Sequence, residues 1–268
     1  MLRQVLLPAD VGAAVNTLAG DPAAALVAGG TLVMPAVNTT VTPIETLVST
    51  RDLGLAAIAV ERGVARVGAA TTLTALGAHP DLGFLRPTVA SFASPIIRNL
   101  ATVGGNLFAS QPYGDLAVAL LALDAVAEIA GPGGPREAPV AEVLEQRVRP
   151  GEIVLAVRFA IPADGTWRWV KAMRRSLNSA AIVAVAALVE TRDGVVANAR
   201  IALGGAGSRP VRARAVEAAL LGRPLDEPSV AAAAALVLSG AEPFSDAYAS
   251  AWYRGRVLPV HLRRALLA

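Results

Sequence analysis

Apolar residues in the first fifty positions follow two different periods. Residues 11–18 place apolar side chains at i, i+3, i+4 and i+7, which predicts an amphipathic helix, and Asp10 precedes them as an N-cap. Apolar-rich runs at 24–28 and 43–48 are typical of short strands. The order of these segments predicts a small β-α-β-α-β unit.

Strand pairs dominate the rest of the pattern. Residues 57–67 and 125–134 each contain strand-like runs beside a glycine-containing turn, which predicts two hairpins. Residues 180–203 contain two such runs around Asp193-Gly194, which predicts a third hairpin. Residues 151–159 alternate with period two, so we expect a strand whose one face carries Ile153, Leu155, Val157 and Phe159.

Helical patterns separate and follow these strands. We expect helices at 82–93, 116–123, 210–221, 229–239 and 254–267. Pro87 should disturb the first of them, because proline lacks the N–H group that a helix interior requires. Glu217, in the helix predicted at 210–221, is interpreted as a solvent-exposed position.

Turn-forming residues at 161–165 predict a domain boundary. Residues 166–268 then show strands first and helices afterwards, which indicates an α+β domain. We therefore expect an α+β chain whose first domain covers residues 1–165, with subdomains at about 1–53 and 54–165.

Composition excludes several classes of protein. The 268 residues include no cysteine, which excludes disulfides and catalytic thiols and argues against an iron–sulfur cluster held by this chain. Two histidines make a multi-histidine metal site improbable. No uncharged apolar run reaches the roughly 18 residues that a membrane-spanning helix needs, and the N-terminus makes a poor signal peptide, so we expect a cytoplasmic protein. Scattered arginines without interleaved aromatics argue against nucleic-acid binding.

Two pairs of adjacent glycines, Gly29-Gly30 and Gly104-Gly105, follow strand-like segments. Glycine adopts positive φ readily and can expose consecutive backbone N–H groups, which form concavities that bind anions. The two pairs could face each other across one pyrophosphate, or they could be two structural turns. Neither pair fits the dinucleotide fingerprint Gly-x-Gly-x-x-Gly or a Walker loop.

Two charged residues are further candidates for binding. Asp115 follows Asn106 and opens an apolar run, so its carboxylate could accept from a ribose hydroxyl or cap the following helix. Lys171 shares a strand face with Trp167 and Trp169. Its cation could stabilise negative charge on a phosphate or an electron-accepting ring, or it could lie at an exposed strand end.

The chain resembles the FAD-binding medium subunit of the molybdenum hydroxylases, the group that includes xanthine, carbon monoxide and aldehyde dehydrogenases. The matching segments follow the family order nearly end to end: 28–31, 68–73, 94–99, 101–106 with Asp115, 151–154, 200–205, 210–213, 245–248 and 262–266. The resemblance implies a two-subdomain FAD-binding domain of the vanillyl-alcohol-oxidase type, followed by a smaller α+β C-terminal domain.

The resemblance also implies a set of cofactor contacts. The two glycine turns would wrap the FAD pyrophosphate from the two subdomains, Asp115 would contact the adenosine portion, and Lys171 would lie near the isoalloxazine ring. The full set is Leu26, Val27, Ala28, Gly29, Gly30, Thr31, Leu32, Val33, Phe92, Thr102, Val103, Gly104, Gly105, Asn106, Asp115, Leu155 and Lys171, with no catalytic residue and no metal ligand.

By the same resemblance, the chain would be an electron-transfer subunit that carries FAD alone. Molybdopterin would lie on a large partner subunit and 2Fe–2S clusters on a small one, in a dimer of heterotrimers. A self-contained flavin oxidoreductase and a scaffold without flavin are the alternatives. Two departures from the family pattern matter: Leu32 is apolar, so its contact would involve the backbone alone, and residues 176–181 lack an acid, so NAD is not implied as the acceptor.

Overall fold

The computed structural model describes residues 2–39, 43–175 and 179–268. Within these ranges the strands are β1 (Gln4–Leu6), β2 (Ala24–Val27), β3 (Thr46–Ser49), β4 (Ile58–Glu61), β5 (Val64–Gly68), β6 (Val126–Ala130), β7 (Arg136–Pro139), β8 (Ile153–Ala160), β9 (Trp167–Met173), β10 (Ala181–Arg192), β11 (Val195–Gly204) and β12 (Val211–Arg212).

The helices, in chain order, are α1 (Val11–Gly20), α2 (Val33–Asn38), α3 (Leu73–Ala78), α4 (Arg86–Ala90), α5 (Pro95–Arg98), α6 (Val103–Leu107), α7 (Asp115–Ala122), α8 (Val140–Gln146), α9 (Arg214–Leu220), α10 (Glu227–Ala234) and α11 (Ala251–Leu266). A 3-10 helix, Pro80–Leu85, precedes α4. None of the helices in the described part of the chain has the length and apolar character needed to cross a membrane.

The chain forms two compact units whose segments interleave along the sequence. Unit 1 contains residues up to 83, 94–109 and 125–160, and unit 2 contains residues 84–93, 110–124 and 161–268. The α+β fold class predicted from the sequence is confirmed, because each unit combines helices with β-sheet.

Unit 1 contains a three-stranded sheet and a five-stranded sheet. The first has the order β1-β3-β2 and is parallel, as the predicted β-α-β-α-β unit requires. The second has the order β4-β5-β8-β6-β7 with antiparallel neighbours, and it contains the two predicted hairpins. The Asp10 side chain caps α1 by accepting from the N–H of Ala13.

Unit 2 is built on an antiparallel sheet of order β12-β11-β10-β9. The turn between β10 and β11 has positive φ at both Asp193 and Gly194, as a two-residue hairpin requires. Helix α11 covers one face of this sheet with a stripe of buried apolar side chains, which are Leu258, Leu262, Ala265 and Leu266. All eight residues of α7 are buried, and all except Asp115 are apolar, as expected for a helix that is packed on every side.

Three predicted elements differ from the structure. Pro87 lies in the first turn of α4, where its missing N–H costs nothing, and the non-helical backbone is instead at Leu82. The helix expected from residue 210 begins at Arg214, because Val211 and Arg212 pair with β11. The alternation of β8 is interrupted at Leu155, where the register of β8 against β6 shifts between Ile129 and Glu128.

Candidate functional site

The two glycine-containing segments of the sequence lie against each other in unit 1. A Cβ placed on Gly29 would overlap the carbonyl oxygen of Leu100 and would lie 3.2 Å from the nitrogen of Ala101. Only glycine allows this approach of the two backbones. The structure therefore brings the first turn to the residues that immediately precede Thr102.

The first turn presents a row of unused hydrogen-bond donors. Gly30 has φ +72°, and its carbonyl accepts from the N–H of Met34, in the first turn of α2. The backbone N–H groups of residues 29–32 have no acceptor within the part of the chain that the structure describes. Consecutive donors of this kind, near a backbone with positive φ, form a concavity that binds an anion.

The second glycine pair has a different conformation from the one that we expected. Gly104 and Gly105 do not have positive φ; they lie in the short helix α6, with Thr102 as its N-cap. Their N–H groups are already bonded, that of Gly104 to the carbonyl of Ala69 at 2.8 Å and that of Gly105 to Thr102 Oγ1 at 3.1 Å. The expected row of exposed N–H groups at this pair is therefore wrong.

Close packing explains the glycine at position 104. A Cβ there would lie 2.8 Å from the Cβ of Ala69. Ala69 in turn donates its N–H to the carbonyl of Leu155 at 2.8 Å. Ala69 therefore contacts both α6 and the position in β8 where the register shifts. Leu155 and the second glycine segment are thus neighbours in unit 1.

Unit 2 contains a buried ion pair formed by two of the candidate residues. Lys171 Nζ lies 2.6 Å from Asp115 Oδ2, and the two side chains are 2% and 4% exposed. Nζ also donates to the carbonyl of Ser91 at 2.8 Å, and Trp169 Nε1 donates to Ser91 Oγ at 3.3 Å. Three separate segments of the chain therefore meet at this ion pair.

Each partner of the ion pair keeps hydrogen-bonding capacity. An ammonium group has three donors, and Lys171 uses two of them on described acceptors. Asp115 Oδ1 has no partner among the described residues. Burial raises the pKa of Asp115 to about 6, while the charge and hydrogen bond of Lys171 act in the opposite direction. The pair can therefore offer both a donor and an acceptor to a bound molecule.

Two interpretations of these residues are now settled. Asp115 is not the cap of α7, because Gly114 occupies that position and no side chain caps the helix. Lys171 is not at an exposed strand end, since its side chain is buried. Arg174 does lie at the surface, where it donates to the carbonyl of Ala247.

Sequence reasoning missed Ser91, which accepts from both Lys171 and Trp169. Its position between α4 and Phe92 carries no sequence signal of its own, because a serine beside a helix end is usually a cap. Phe92 is the next residue, half-buried, and its N–H donates to the carbonyl of Val89. Phe92 is therefore adjacent in the chain to the residue whose carbonyl accepts from Lys171.

The candidate residues form two groups, one in each unit. Residues 26–33, residues 102–106 and Leu155 belong to unit 1, and Phe92, Asp115 and Lys171 belong to unit 2. Residues 176–178, part of the segment noted for its missing acid, lie outside the described residues. The described residues contain no group of three His, Cys, Asp or Glu side chains placed to bind a metal ion.

Two family models together match almost all of the chain. Residues 2–164 match the FAD binding domain in molybdopterin dehydrogenase, and residues 168–268 match the CO dehydrogenase flavoprotein C-terminal domain. The chain belongs to the FAD-binding medium subunits of the molybdopterin hydroxylases. The family expected from the sequence is confirmed.

Individual relatives agree with this membership. The carbon monoxide dehydrogenase medium chain of Afipia carboxidovorans is 31% identical over 262 residues, which cover 94% of this chain and 91% of that one. A putative xanthine dehydrogenase FAD-binding subunit of Escherichia coli is 30% identical, with 96% and 92% covered. In a structure of carbon monoxide dehydrogenase from Hydrogenophaga pseudoflava, a chain 28% identical matches with a TM-score of 0.94 over 100% of this chain and 97% of that one.

This medium subunit is accordingly an oxidoreductase subunit of the carbon monoxide dehydrogenase and xanthine dehydrogenase type, with an FAD-binding domain. Its relatives are chains of multi-subunit complexes. In unit 1, the free N–H groups of residues 29–32 and the close approach at Gly29 suit the binding of a phosphate group.

Proposed function

We propose that this medium subunit binds FAD and passes electrons from the iron–sulfur clusters of a small partner subunit to an external acceptor. The observation that carries the proposal is the row of unused N–H groups at residues 29–32 beside the segment 100–106. Bound FAD would supply a group that accepts and releases one or two electrons. The substrate itself would be oxidised at molybdopterin on a large partner subunit, and the complex would be a dimer of heterotrimers.

In this proposal, unit 1 holds the pyrophosphate. The N–H groups of residues 29–32 donate to phosphate oxygens, and the exposed side chain of Leu32 leaves that contact to its backbone. The second segment, Thr102 to Asn106, contributes by its close fit to the first turn, since the N–H groups of its two glycines are already bonded. We assign residues 1–165 to the FAD-binding domain and residues 166–268 to the C-terminal domain, in keeping with the extents of the family models.

Asp115 and Lys171 then contact one region of the cofactor. Because Nζ and Oδ2 are 2.6 Å apart, we propose that the two residues reach neighbouring atoms of FAD, whereas the resemblance assigned Asp115 to the adenosine portion and Lys171 to the surroundings of the isoalloxazine ring. Oδ1 of Asp115 accepts from a hydroxyl group, and the third donor of Lys171 offers positive charge to an electron-rich atom. No residue in this arrangement acts on the substrate of the complex.

Substitution of Gly30 tests the proposal. Gly30→Ala places a side chain at φ +72°, and Gly63→Ala does the same at φ +77° in the β4–β5 turn, where a Cβ meets nothing within 4 Å. Both substitutions should lower stability by about 1 kcal/mol through backbone strain. Only Gly30→Ala should also weaken FAD binding, by about tenfold or more, because it distorts the row of donors.

The measurement is a fluorescence titration of each flavin-free variant with FAD. Equal affinity of the two variants would remove the role given to residues 29–32. A wild-type chain that binds no FAD under any reconstitution condition would favour the scaffold alternative over the electron-transfer subunit.

A further inference from the structure

Helix α11 has two faces of different character. Its buried stripe packs on the sheet of unit 2, as described above. The opposite face, which we call the outer face, is exposed to solvent and consists of Trp252, Tyr253, Arg256, Val260, Arg263 and Arg264. These positions recur at i, i+4, i+8 and their neighbours, so they lie on one side of the helix.

Large apolar groups are exposed on the outer face. Trp252 is 72% exposed, and Tyr253 and Val260 are each 43% exposed. The guanidinium of Arg256 lies over the Trp252 ring, 5.9 Å from its centroid, so the two side chains form one stacked group. An exposed tryptophan next to further apolar residues is unusual on a surface that meets only water.

The outer face is also positively charged. The sixteen residues of α11 include four arginines and no aspartate or glutamate. Arg254 is buried and paired with Asp246, and Arg263 is paired with Glu227. Arg256 and Arg264 have no acidic partner among the described residues. Burial lowers the pKa of His261 on the same helix, and the charge of Arg264 acts in the same direction, which favours the neutral form of this side chain.

We propose that the outer face of α11 docks onto an acidic surface of a companion subunit, an inference that rests on the proposed role of this chain within a hydroxylase complex. Tryptophan, tyrosine and arginine are the residues that most often dominate the energy of protein interfaces. Unpaired arginines beside them select a partner of opposite charge, which steers association and fixes its orientation.

The same charges argue against two other occupants. A second copy of the chain docking through this face would bring like charges together across a two-fold axis. A membrane surface would require an apolar face free to enter the bilayer, whereas the continuous apolar face of α11 is already buried on the sheet. A protein surface that carries carboxylates around an apolar centre is complementary to both properties of the outer face.

The experiment compares assembled complexes that contain single variants of this chain. Trp252→Ala removes the apolar anchor and Arg256→Glu reverses the charge. Their matched controls are Leu221→Ala, which truncates another side chain that is 51% exposed, and Arg192→Glu, which reverses another exposed charge. Each variant is co-expressed with the large and small subunits, and dissociation is followed by light scattering after size exclusion over a range of salt concentrations.

We expect Trp252→Ala and Arg256→Glu to raise the dissociation constant of this chain by about tenfold or more, and the two controls to change it by less than about twofold. Arg256→Glu should also make the dissociation constant depend less on salt concentration. Complexes of wild-type affinity for both outer-face variants would overturn the proposal. So would a free wild-type chain that dimerises through these residues, or one that binds phosphatidylglycerol vesicles through them.

The FAD content of every sample separates this proposal from the proposed function. Variants of the outer face should retain wild-type FAD, because the substituted side chains make no contact with Asp115, Lys171 or Ser91. A wild-type complex that contains no FAD would refute the flavin assignment. The dissociation measurement would still test the docking face in that case.

Discussion

Lys171 is the only lysine among the 24 basic residues of this chain, and it is also the most buried cation at the candidate site. Burial of a lysine is costly unless its charge is compensated and its donors are used. Asp115 and Ser91 satisfy both conditions, with N···O distances of 2.6 and 2.8 Å. The alternation of β9 predicted which face Lys171 shares with Trp169, but not that Asp115, 56 residues away, would be its partner.

Removal of Lys171 should change how stability depends on pH. Burial raises the pKa of Asp115 from 3.8 to about 6 in the folded chain, so the carboxyl group contributes stability that is complete below about pH 3.8 and is lost as pH rises through about 6. Lys171→Met removes the influence that lowers this pKa. We expect the pKa of Asp115 to rise above 6 and the loss of stability to continue to higher pH.

Urea unfolding of the flavin-free chain at several pH values between 4 and 8 measures this effect. At pH 7, Lys171→Met should cost about 3 kcal/mol, because it leaves a buried carboxylate without its partner. Asp115→Asn is the control, since it lacks the titrating group and should show a smaller pH slope between pH 4 and 6. A Lys171→Met variant with the same pH profile as wild type would contradict the account of this ion pair.

At the scale of elements, helix α9 shows how packing overrides a correct local pattern. The helix itself was predicted, but Glu217 was interpreted as solvated and this is wrong, because it is only 7% exposed. Its carboxylate accepts from the backbone N–H of Ile201 in β11 and from Arg212 Nε in β12, both at 2.7 Å. The helix is thereby joined to two strands that sequence periodicity does not connect to it.

Glu217→Ala should therefore destabilise unit 2 strongly. The substitution leaves the N–H of Ile201 without an acceptor and Arg212 with only the more exposed Asp124, so we expect a loss of about 3 kcal/mol. Glu227→Ala removes an acid whose partner Arg263 is at the surface, and it should cost less than about 1 kcal/mol. Chemical denaturation of both variants checks the difference, and equal losses would show that Glu217 is not an essential connection.

At the scale of the molecule, the compact units do not follow the order of the chain. Residues 110–124, which contain α7, belong to unit 2 with residues 161–268. A Cβ at Gly204 in β11 would lie 2.8 Å from Val118 of α7, and Asp124 at the end of this segment is paired with Arg200. The helix thus covers a face of the sheet that residues 161–268 cannot cover alone.

A fragment of residues 161–268 should consequently fail to fold cooperatively, although a family model matches nearly all of it as one domain. Removal of α7 would expose buried positions such as Ala184 and Ala186 of β10. Fusing residues 110–124 to the fragment through a flexible linker should restore a cooperative transition. Circular dichroism during thermal unfolding measures both, and a cooperative transition in the shorter fragment would contradict the interleaved arrangement.

The sequence by itself determined the local elements and the membership of the family. Helical and strand periods depend on neighbours a few residues away, so α1, the hairpins and the apolar helix α7 could be predicted from them. The order of the family motifs along the chain likewise required no structure. The positions of Gly29, Asp115 and Lys171 as candidates also came from this level.

Only the tertiary structure decided what those candidates contact. It showed that Gly29 meets Leu100, that the N–H groups of Gly104 and Gly105 are already used, and that Asp115 and Lys171 form one ion pair. Gly29 and Leu100 are more than 56 positions apart in the chain, and Asp115 and Lys171 are 56 positions apart. The hydrogen bonds of Gly104 and Gly105 depend on whether this short segment forms a turn or a helix. Such outcomes are set by the packing of whole elements, because burial and hydrogen-bond partners are properties of the folded chain and not of any local pattern.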